Sequence, residues 1–247
     1  MKNVKNTKKR IALITSLSIL ALVLIALIAC LIFLLDCYEA QEQAIEAFMP
    51  DSGLSYREID GGLAFEPQGA EVGFIFYPGA KVEHEAYIPL MEACADKGIL
   101  CVLVEMPLYF PLLNPRAGED VRELYPQIER WYIGGHSLGG YSASSYLEQS
   151  HGDYEGFVLL ASYSSADLSD TQLRVLSIYG SEDTVMNRER YEQGKEKLPP
   201  TAKEIIIDGG CHAFFGMYEG QDGEYAKITN REQILQSAQA IYELINE

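Results

Sequence analysis

Positive charge is scarce in this chain. Lys and Arg total 19 among 247 residues, against 36 Asp and Glu, for a net charge of −17 at pH 7. Binding to nucleic acid needs a basic face that neutralises phosphates, so that class is excluded by charge. Cysteine is scarce too: Cys30, Cys37, Cys94, Cys101 and Cys211 form no C-x-x-C pair. That spacing speaks against a disulfide-stapled fold and against a zinc centre. Neither G-x-G-x-x-G nor G-x-x-x-x-G-K-[ST] occurs, so no nucleotide cofactor is expected, and no metal either. Internal repeats and low-complexity segments are also missing. With 48% hydrophobic and 11% aromatic residues, the chain has the material for a packed core and is not a disordered one.

The acidic excess is unevenly placed. Residues 1–10 contain five basic residues (Lys2, Lys5, Lys8, Lys9, Arg10) and no acid, and residues 11–35 contain no charge. The remainder, 36–247, therefore holds 14 basic residues against 36 acids, a net charge of −22. Between Ile11 and Leu35 only Thr15, Ser16 and Ser18 interrupt the apolar run. At about 1.5 Å per residue such a helix is roughly 37 Å long, enough for a hydrocarbon core of about 30 Å. The run is too long for the apolar region of a cleaved signal peptide. Leu27-Ile28-Ala29-Cys30 resembles a lipoprotein box, but the apolar run continues past it to Leu35. The expected organisation is a cytoplasmic basic tail (1–10), a transmembrane anchor (11–35), a juxtamembrane linker with a helix over 38–49 stopped by Pro50 (36–53), and one folded domain (54–247). Basic flanks stay in the cytoplasm, which places the acidic domain outside the cell membrane.

Within the domain, short apolar runs recur at 72–77, 99–105, 131–134, 156–161, 174–179 and 204–207, with helical patterns near 84–97, 117–129, 138–150, 187–197 and 229–246. The runs are apolar throughout rather than alternating, as in strands covered on both faces. Strand–helix alternation of this length implies a doubly wound, mostly parallel α/β sheet. The stretch 54–66 reads as one or two antiparallel edge strands.

Chemistry concentrates in three loops that follow strands. Gly134-Gly135-His136-Ser137-Leu138-Gly139-Gly140 contains G-x-S-x-G between an apolar run and a helical pattern, the context in which a serine sits at the tip of a sharp strand-to-helix turn. The bland alternative is a Gly-rich turn with a helix-capping serine. A serine hydroxyl needs a base, and the base needs an orienting acid. Among the four histidines, His136 lies inside the turn and reads as pointing away from the attack side, while His84 and His151 read as solvent-facing. His212 follows the last strand at its C-terminal edge, where sites of parallel sheets form. For the acid, Asp183 after the 174–179 strand is preferred over Glu182, with Asp208 and Asp167 more distant. Two backbone N–H groups are needed for an oxyanion hole. Leu138 would supply one and Ala80, in Tyr77-Pro78-Gly79-Ala80-Lys81, the other, with Lys81 as the fallback. Cys211 beside His212 reads as incidental, because adjacent side chains point apart. The acidic stretch 218–225 does not have EF-hand spacing and reads as a solvated loop.

These blocks resemble the α/β-hydrolase superfamily, specifically the bacterial alpha/beta hydrolase fold-5 branch related to dienelactone hydrolases. The resemblance rests on Tyr77-Pro78-Gly79-Ala80-Lys81-Val82-Glu83 before Tyr87 and on Gly135-His136-Ser137-Leu138-Gly139-Gly140. It continues with Gly180, Asp183 and Val185, and with Gly209-Gly210-Cys211-His212-Ala213-Phe214-Phe215-Gly216 through Gly220-Gln221-Asp222-Gly223. It covers about 54–247 and implies a hydrolase fold with the triad Ser137, Asp183, His212. Dienelactone hydrolases proper use a cysteine where this chain has Ser137, so their substrate is not implied. Only 106–118 is available as a lid, and that apolar loop is open to two readings, a pocket lining or core packing. The expected activity is hydrolysis of a carboxylic ester or related small acyl compound, with acyl transfer as a variant. The rival reading is an inert hydrolase-like binding module at the membrane.

Overall fold

A computed structural model of the chain describes residues 2–48, 56–220 and 223–247. The chain divides into two compact units, 1–36 and 37–247. The first is a single helix, α1 (Lys2–Leu35). Its segment Arg10–Phe33 has a mean hydropathy of 3.0 and is long and apolar enough to cross a membrane.

The second unit begins with α2 (Glu42–Phe48). The helix starts later than the expected 38, because the backbone of 38–41 pairs with two loops of the domain instead of with itself; its expected end at Met49 and Pro50 lies outside the described residues. Tyr38 bridges Val82 and Ala40 bridges Tyr218. The described part of the expected linker, up to Phe48, is therefore packed into the folded unit, and residues 49–53 lie outside the described residues. Eight strands follow: β1 (Tyr56–Ile59), β2 (Gly62–Phe65), β3 (Val72–Tyr77), β4 (Leu100–Val104), β5 (Arg130–His136), β6 (Gly156–Leu160), β7 (Arg174–Gly180) and β8 (Lys203–Ile207). They form one sheet in the order β1-β2-β4-β3-β5-β6-β7-β8. The β1–β2 hairpin and the β2–β4 pair are antiparallel, and the other pairs are parallel.

The helices α3 (Ile88–Ala95), α4 (Ala117–Leu124), α5 (Leu138–Ser150), α6 (Arg188–Lys195) and α7 (Asn230–Ile245) cover the sheet. Pleating sends alternate residues to opposite faces, and the core divides accordingly. Phe74, Phe76, Cys101 and Leu103 pack with α3 and α7, while Ile75, Tyr77, Val102 and Ile133 pack with α4 and α5. Burying both faces is what makes the strand sequences continuously apolar. Two expected helices are shorter for a local reason. Pro126 disfavours helical geometry at Tyr125, and α4 ends at Leu124. The 84–97 pattern splits into a 3-10 turn, His84–Tyr87, and α3, with Pro89 in the first turn of α3. At the far end, α7 is capped reciprocally by Thr229 and Glu232, worth about 1 kcal/mol.

The chain leaves β3 toward β4 on one side and returns past β3 to β5 on the other. The switch point is thus at the C-terminal ends of β3 and β5, the crevice in which ligands bind in open α/β sheets.

Candidate active site

Ser137 stands at that switch point. It follows β5 and occupies the N-cap position of α5, yet its side chain makes no capping hydrogen bond. The capping-serine alternative therefore fails, and the hydroxyl is left for other partners. The backbone there is strained, with φ 51° and ψ −123°, a conformation that costs on the order of 1–3 kcal/mol and persists only when its surroundings enforce it. They do so at close range. The Ser137 N–H donates to the Leu160 carbonyl at 2.9 Å, and the Ser162 hydroxyl donates to the Ser137 carbonyl at 2.6 Å. Gly139 permits the elbow to touch the end of β3: a Cβ there would lie 2.2 Å from the Tyr77 carbonyl oxygen and 2.3 Å from that of Pro78.

His212 follows β8 and shares a cleft of about 380 Å³ with Ser137, lined further by Leu112, Leu138, Tyr141, Tyr163, Met186 and Arg190. Its Nδ1 lies 2.9 Å from Asp183 Oδ2. Both side chains are buried, at 4% and 0% exposure. Burial alone would raise the Asp183 carboxyl, but the hydrogen bond and charge of His212 outweigh it. The Met186 and Val185 amides, each at 2.9 Å, add to this, and the group is held below its ordinary value. An ionised carboxylate only accepts, so this hydrogen bond requires the proton on His212 Nδ1. Glu182, the competing acid, pairs with Lys227 at 2.5 Å instead. Asp208 is exposed, and Asp167 accepts from Ser169.

The loop after β3 discriminates among its amides. The Gly79 N–H donates to the Tyr87 hydroxyl at 3.1 Å, and the Lys81 N–H donates to the Tyr109 carbonyl at 2.7 Å. The fallback donor is thus committed, while the Ala80 N–H finds no acceptor among the described residues. Leu138 opens α5, where a first-turn N–H has no partner within the helix.

Three features escape the sequence reading. His136 does not stand apart from the site: its ring centroid is 4.7 Å from that of His212, and its Nδ1 lies 2.8 Å from the Tyr87 hydroxyl. Burial, then the neighbouring His212, hold the His136 imidazole well below its ordinary value, so it stays neutral. Tyr87 consequently ties the β3 loop to the histidine pair. Gln233 of α7, fully buried, clamps Cys211 by accepting from its N–H at 3.0 Å and donating to its carbonyl at 2.8 Å. Gln233 carries no sequence signal beyond being polar within an apolar pattern, and Tyr87 shows in the sequence only as part of the block after β3 on which the resemblance rests. The remaining expectations fall out simply. Burial pushes the Cys211 thiol up to about 12, so it is no thiolate nucleophile. His84, expected to face solvent, is only 12% exposed and pairs with Glu85, whereas His151 is exposed at the C-terminal cap of α5. Part of the 218–225 stretch, residues 221 and 222, lies outside the described residues. No cluster of three metal-ligating side chains occurs among those described. Leu112 of the 106–118 loop reaches the cleft, while Tyr109 and Phe110 are half-buried.

Comparison with known proteins bears on the fold that carries this site. A family model described as "Alpha/beta hydrolase family" matches residues 73–236. Among solved structures, Est1E from Butyrivibrio proteoclasticus superposes with a TM-score of 0.56 at 16% identity, over 79% of this chain and 100% of that one. MGS-MChE2, an alpha/beta hydrolase enzyme from the metagenome of sediments from the lagoon of Mar Chica, Morocco, gives 0.58 at 16% identity, over 78% and 98%. TT1662 from Thermus thermophilus gives 0.55 at 14%, over 78% and 98%. At such identities the likeness is one of fold. No curated protein sequence matches the chain.

Proposed function

Since the chain belongs to the alpha/beta hydrolase family, we propose that it is a serine hydrolase of carboxylic esters or related acyl compounds, held at the cell membrane by α1. The observation that carries this reading is a single cleft holding a non-capping serine on a strained turn and a histidine oriented by a buried carboxylate. In the first half-reaction the Ser137 oxygen bonds to the acyl carbon while His212 Nε2 takes its proton. Asp183 holds the tautomer and stabilises the imidazolium. The oxyanion that develops on the substrate is met by the Leu138 and Ala80 N–H groups. Collapse breaks the acyl–oxygen bond, and His212 returns the proton to the leaving alcohol. Water then repeats the sequence on the acyl-enzyme and releases the acid. An acceptor alcohol in place of water would make the same site an acyltransferase. The basic tail before α1 and the acidic unit after it support an orientation with the hydrolase unit outside.

The direct test is active-site labelling of the full-length protein in detergent. A fluorophosphonate is expected to modify the chain once, at Ser137, with turnover of a chromogenic ester series. Ser137→Ala is expected to lose both, by on the order of 10⁴ to 10⁶ in kcat. Normal turnover in Ser137→Ala overturns the mechanism, and a wild-type chain that is neither labelled nor active favours the inert binding module.

A further inference from the structure

The segment that joins α1 to the hydrolase unit makes more specific contacts than a tether requires. Tyr38 donates its N–H to the Lys81 carbonyl at 2.6 Å and accepts at its own carbonyl from the Glu83 N–H at 3.1 Å. Two residues on, the Ala40 N–H donates to Glu83 Oε2 at 2.8 Å. The Gln41 N–H then donates to the Met217 carbonyl at 2.9 Å, and the Met217 N–H donates to the Ala86 carbonyl at 2.7 Å. The Tyr38 and Tyr218 rings are 5.9 Å apart. One strand of chain, 38–41, thus stitches the loop after β3 to the segment that follows His212.

Its location on the β3 loop matters. Lys81 is held in the left-handed region at φ 61°, and the carbonyl that receives its N–H belongs to Tyr109, itself at φ 54° beside Leu108 at φ 52°. Three such residues are each costly, on the order of 1 kcal/mol or more, unless neighbouring contacts enforce them. Tyr38 supplies one such contact, because it fixes the Lys81 carbonyl while Tyr109 fixes the Lys81 N–H. The peptide before Lys81 is the one that bears the Ala80 carbonyl, and the next one back bears the Ala80 N–H. The direction of that N–H follows from how Gly79 and Lys81 are pinned on either side.

We infer that residues 38–41, through Glu83, are a positioning element for the oxyanion-binding loop, so that the membrane-proximal segment forms part of the catalytic architecture. This rests on the serine-hydrolase reading above. Glu83 touches neither substrate nor reacting atoms; it acts by holding Ala40 and thereby the loop. Its loss should therefore appear in the rate of the chemical step rather than in substrate binding.

The experiment compares full-length wild type, Glu83→Ala and Glu83→Gln for ester kinetics and for the rate of fluorophosphonate labelling at Ser137. Glu83→Ala is expected to lower both kcat and the labelling rate by about tenfold or more, with KM within about twofold, since small displacements at a reacting centre cost up to ~10²-fold. Glu83→Gln, whose side-chain carbonyl still accepts the Ala40 N–H, is expected to recover most of the loss. Ala40→Pro removes the donor. Added to Glu83→Ala, it is expected to cost no more than about a further twofold, because the two act through one bond. Wild-type kcat in folded Glu83→Ala, a loss confined to KM, or failure of Glu83→Gln to recover activity would each overturn the inference. Should Glu83→Ala not fold, the Glu83→Gln and Ala40→Pro pair decides: near-wild-type kcat in Ala40→Pro overturns it. A wild-type chain not labelled at Ser137 overturns the underlying reading first, a result distinct from labelled wild type with unaffected variants.

Discussion

The two loops that flank the switch point are built on opposite principles. The elbow after β5 is self-contained. Its strained serine is enforced by backbone and hydroxyl groups of the adjoining strand β6 and its loop, and by glycine packing against β3. The loop after β3 borrows its shape instead. Lys81 is set by Tyr38 and Tyr109, and Gly79 by Tyr87. The first loop can be rigid wherever the sheet forms. The second is rigid only when two distant segments, at Tyr38 and Tyr109, and nearby Tyr87 are in place. In the proposed mechanism, one site therefore combines a locally determined nucleophile with an oxyanion-binding loop whose geometry is a tertiary property.

The sharpest way to break this comparison is at the acid, which belongs to neither loop. Asp183→Asn is expected to lower kcat by about 10⁴ with the fold retained, because the amide cannot hold the imidazole in the productive tautomer. Glu182→Gln is expected to stay within about twofold, since its partner is exposed Lys227. Steady-state kinetics on both, with circular dichroism as the fold control, separates them; the reverse order would move the acid to Glu182. The sign of the linked stability effect also follows. The Asp183 carboxyl is held below its ordinary value in the fold, so the stability it contributes is complete above that ordinary value and declines as pH falls through the lowered one. Acid unfolding of Asp183→Asn is expected to lack that component.

A smaller effect is expected on the borrowed side. Tyr87→Phe removes the hydroxyl between the Gly79 N–H and His136 Nδ1. Two buried polar groups are left without a partner, at about 1–3 kcal/mol each before relaxation. The expected outcome is a lower unfolding midpoint with about a tenfold loss in kcat and little change in KM. If only stability falls, the link from the β3 loop to the histidine pair has no bearing on turnover. The corresponding hydroxyl on the elbow side, Ser162 on the Ser137 carbonyl, has backbone contacts beside it, so Ser162→Ala is the natural control with a smaller effect on rate.

The same division explains what was legible in the sequence. The strands β3, β6 and β7 fall at or within a residue of their expected bounds, because residues buried on both faces leave a continuous apolar signature. Of the proposed site, Ser137 is legible through its glycines, and His212 and Asp183 through their places after β8 and β7. What was not legible depends on long-range pairing. Nothing in Tyr38-Glu39-Ala40-Gln41 distinguishes a helix start from a strand that pairs with Val82 and Tyr218, since the pattern shows only that the segment is amphipathic. His136 reads in the sequence as pointing away from the attack side, because contact with His212 arises only once β5 and the loop after β8 are side by side. The end of α4, by contrast, is written locally, in Pro126.

The smallest effect expected concerns the helix beneath the borrowed loop. Tyr87 leads directly into α3, and α3 carries Glu92, 1% exposed, with both carboxylate oxygens lacking a partner among the described residues. The buried positions of α5, behind the elbow, hold no ionisable acid. Burial, then the charge of Asp96, raises the Glu92 carboxyl from its ordinary 4.5 to about 7. A carboxyl raised on folding binds its proton more tightly in the native state than in the unfolded chain. Stability therefore falls as pH rises from about 4.5 to about 7 and levels off above that. Glu92→Gln keeps the shape without the charge, so its unfolding midpoint is expected to match wild type near pH 4.5 and to exceed it at pH 8. A gain of the order of 2–4 °C is expected for each kcal/mol relieved in a domain of this size. Thermal unfolding of both proteins across that range is the measurement, and a difference that does not grow with pH would mean that Glu92 is ionised and partnered in the fold. Activity at pH 8 then carries the comparison one step further: if the borrowed loop is limited by the firmness of α3, Glu92→Gln should retain turnover to higher temperature than wild type, whereas a limit set at the elbow would leave the two activity–temperature curves superimposed.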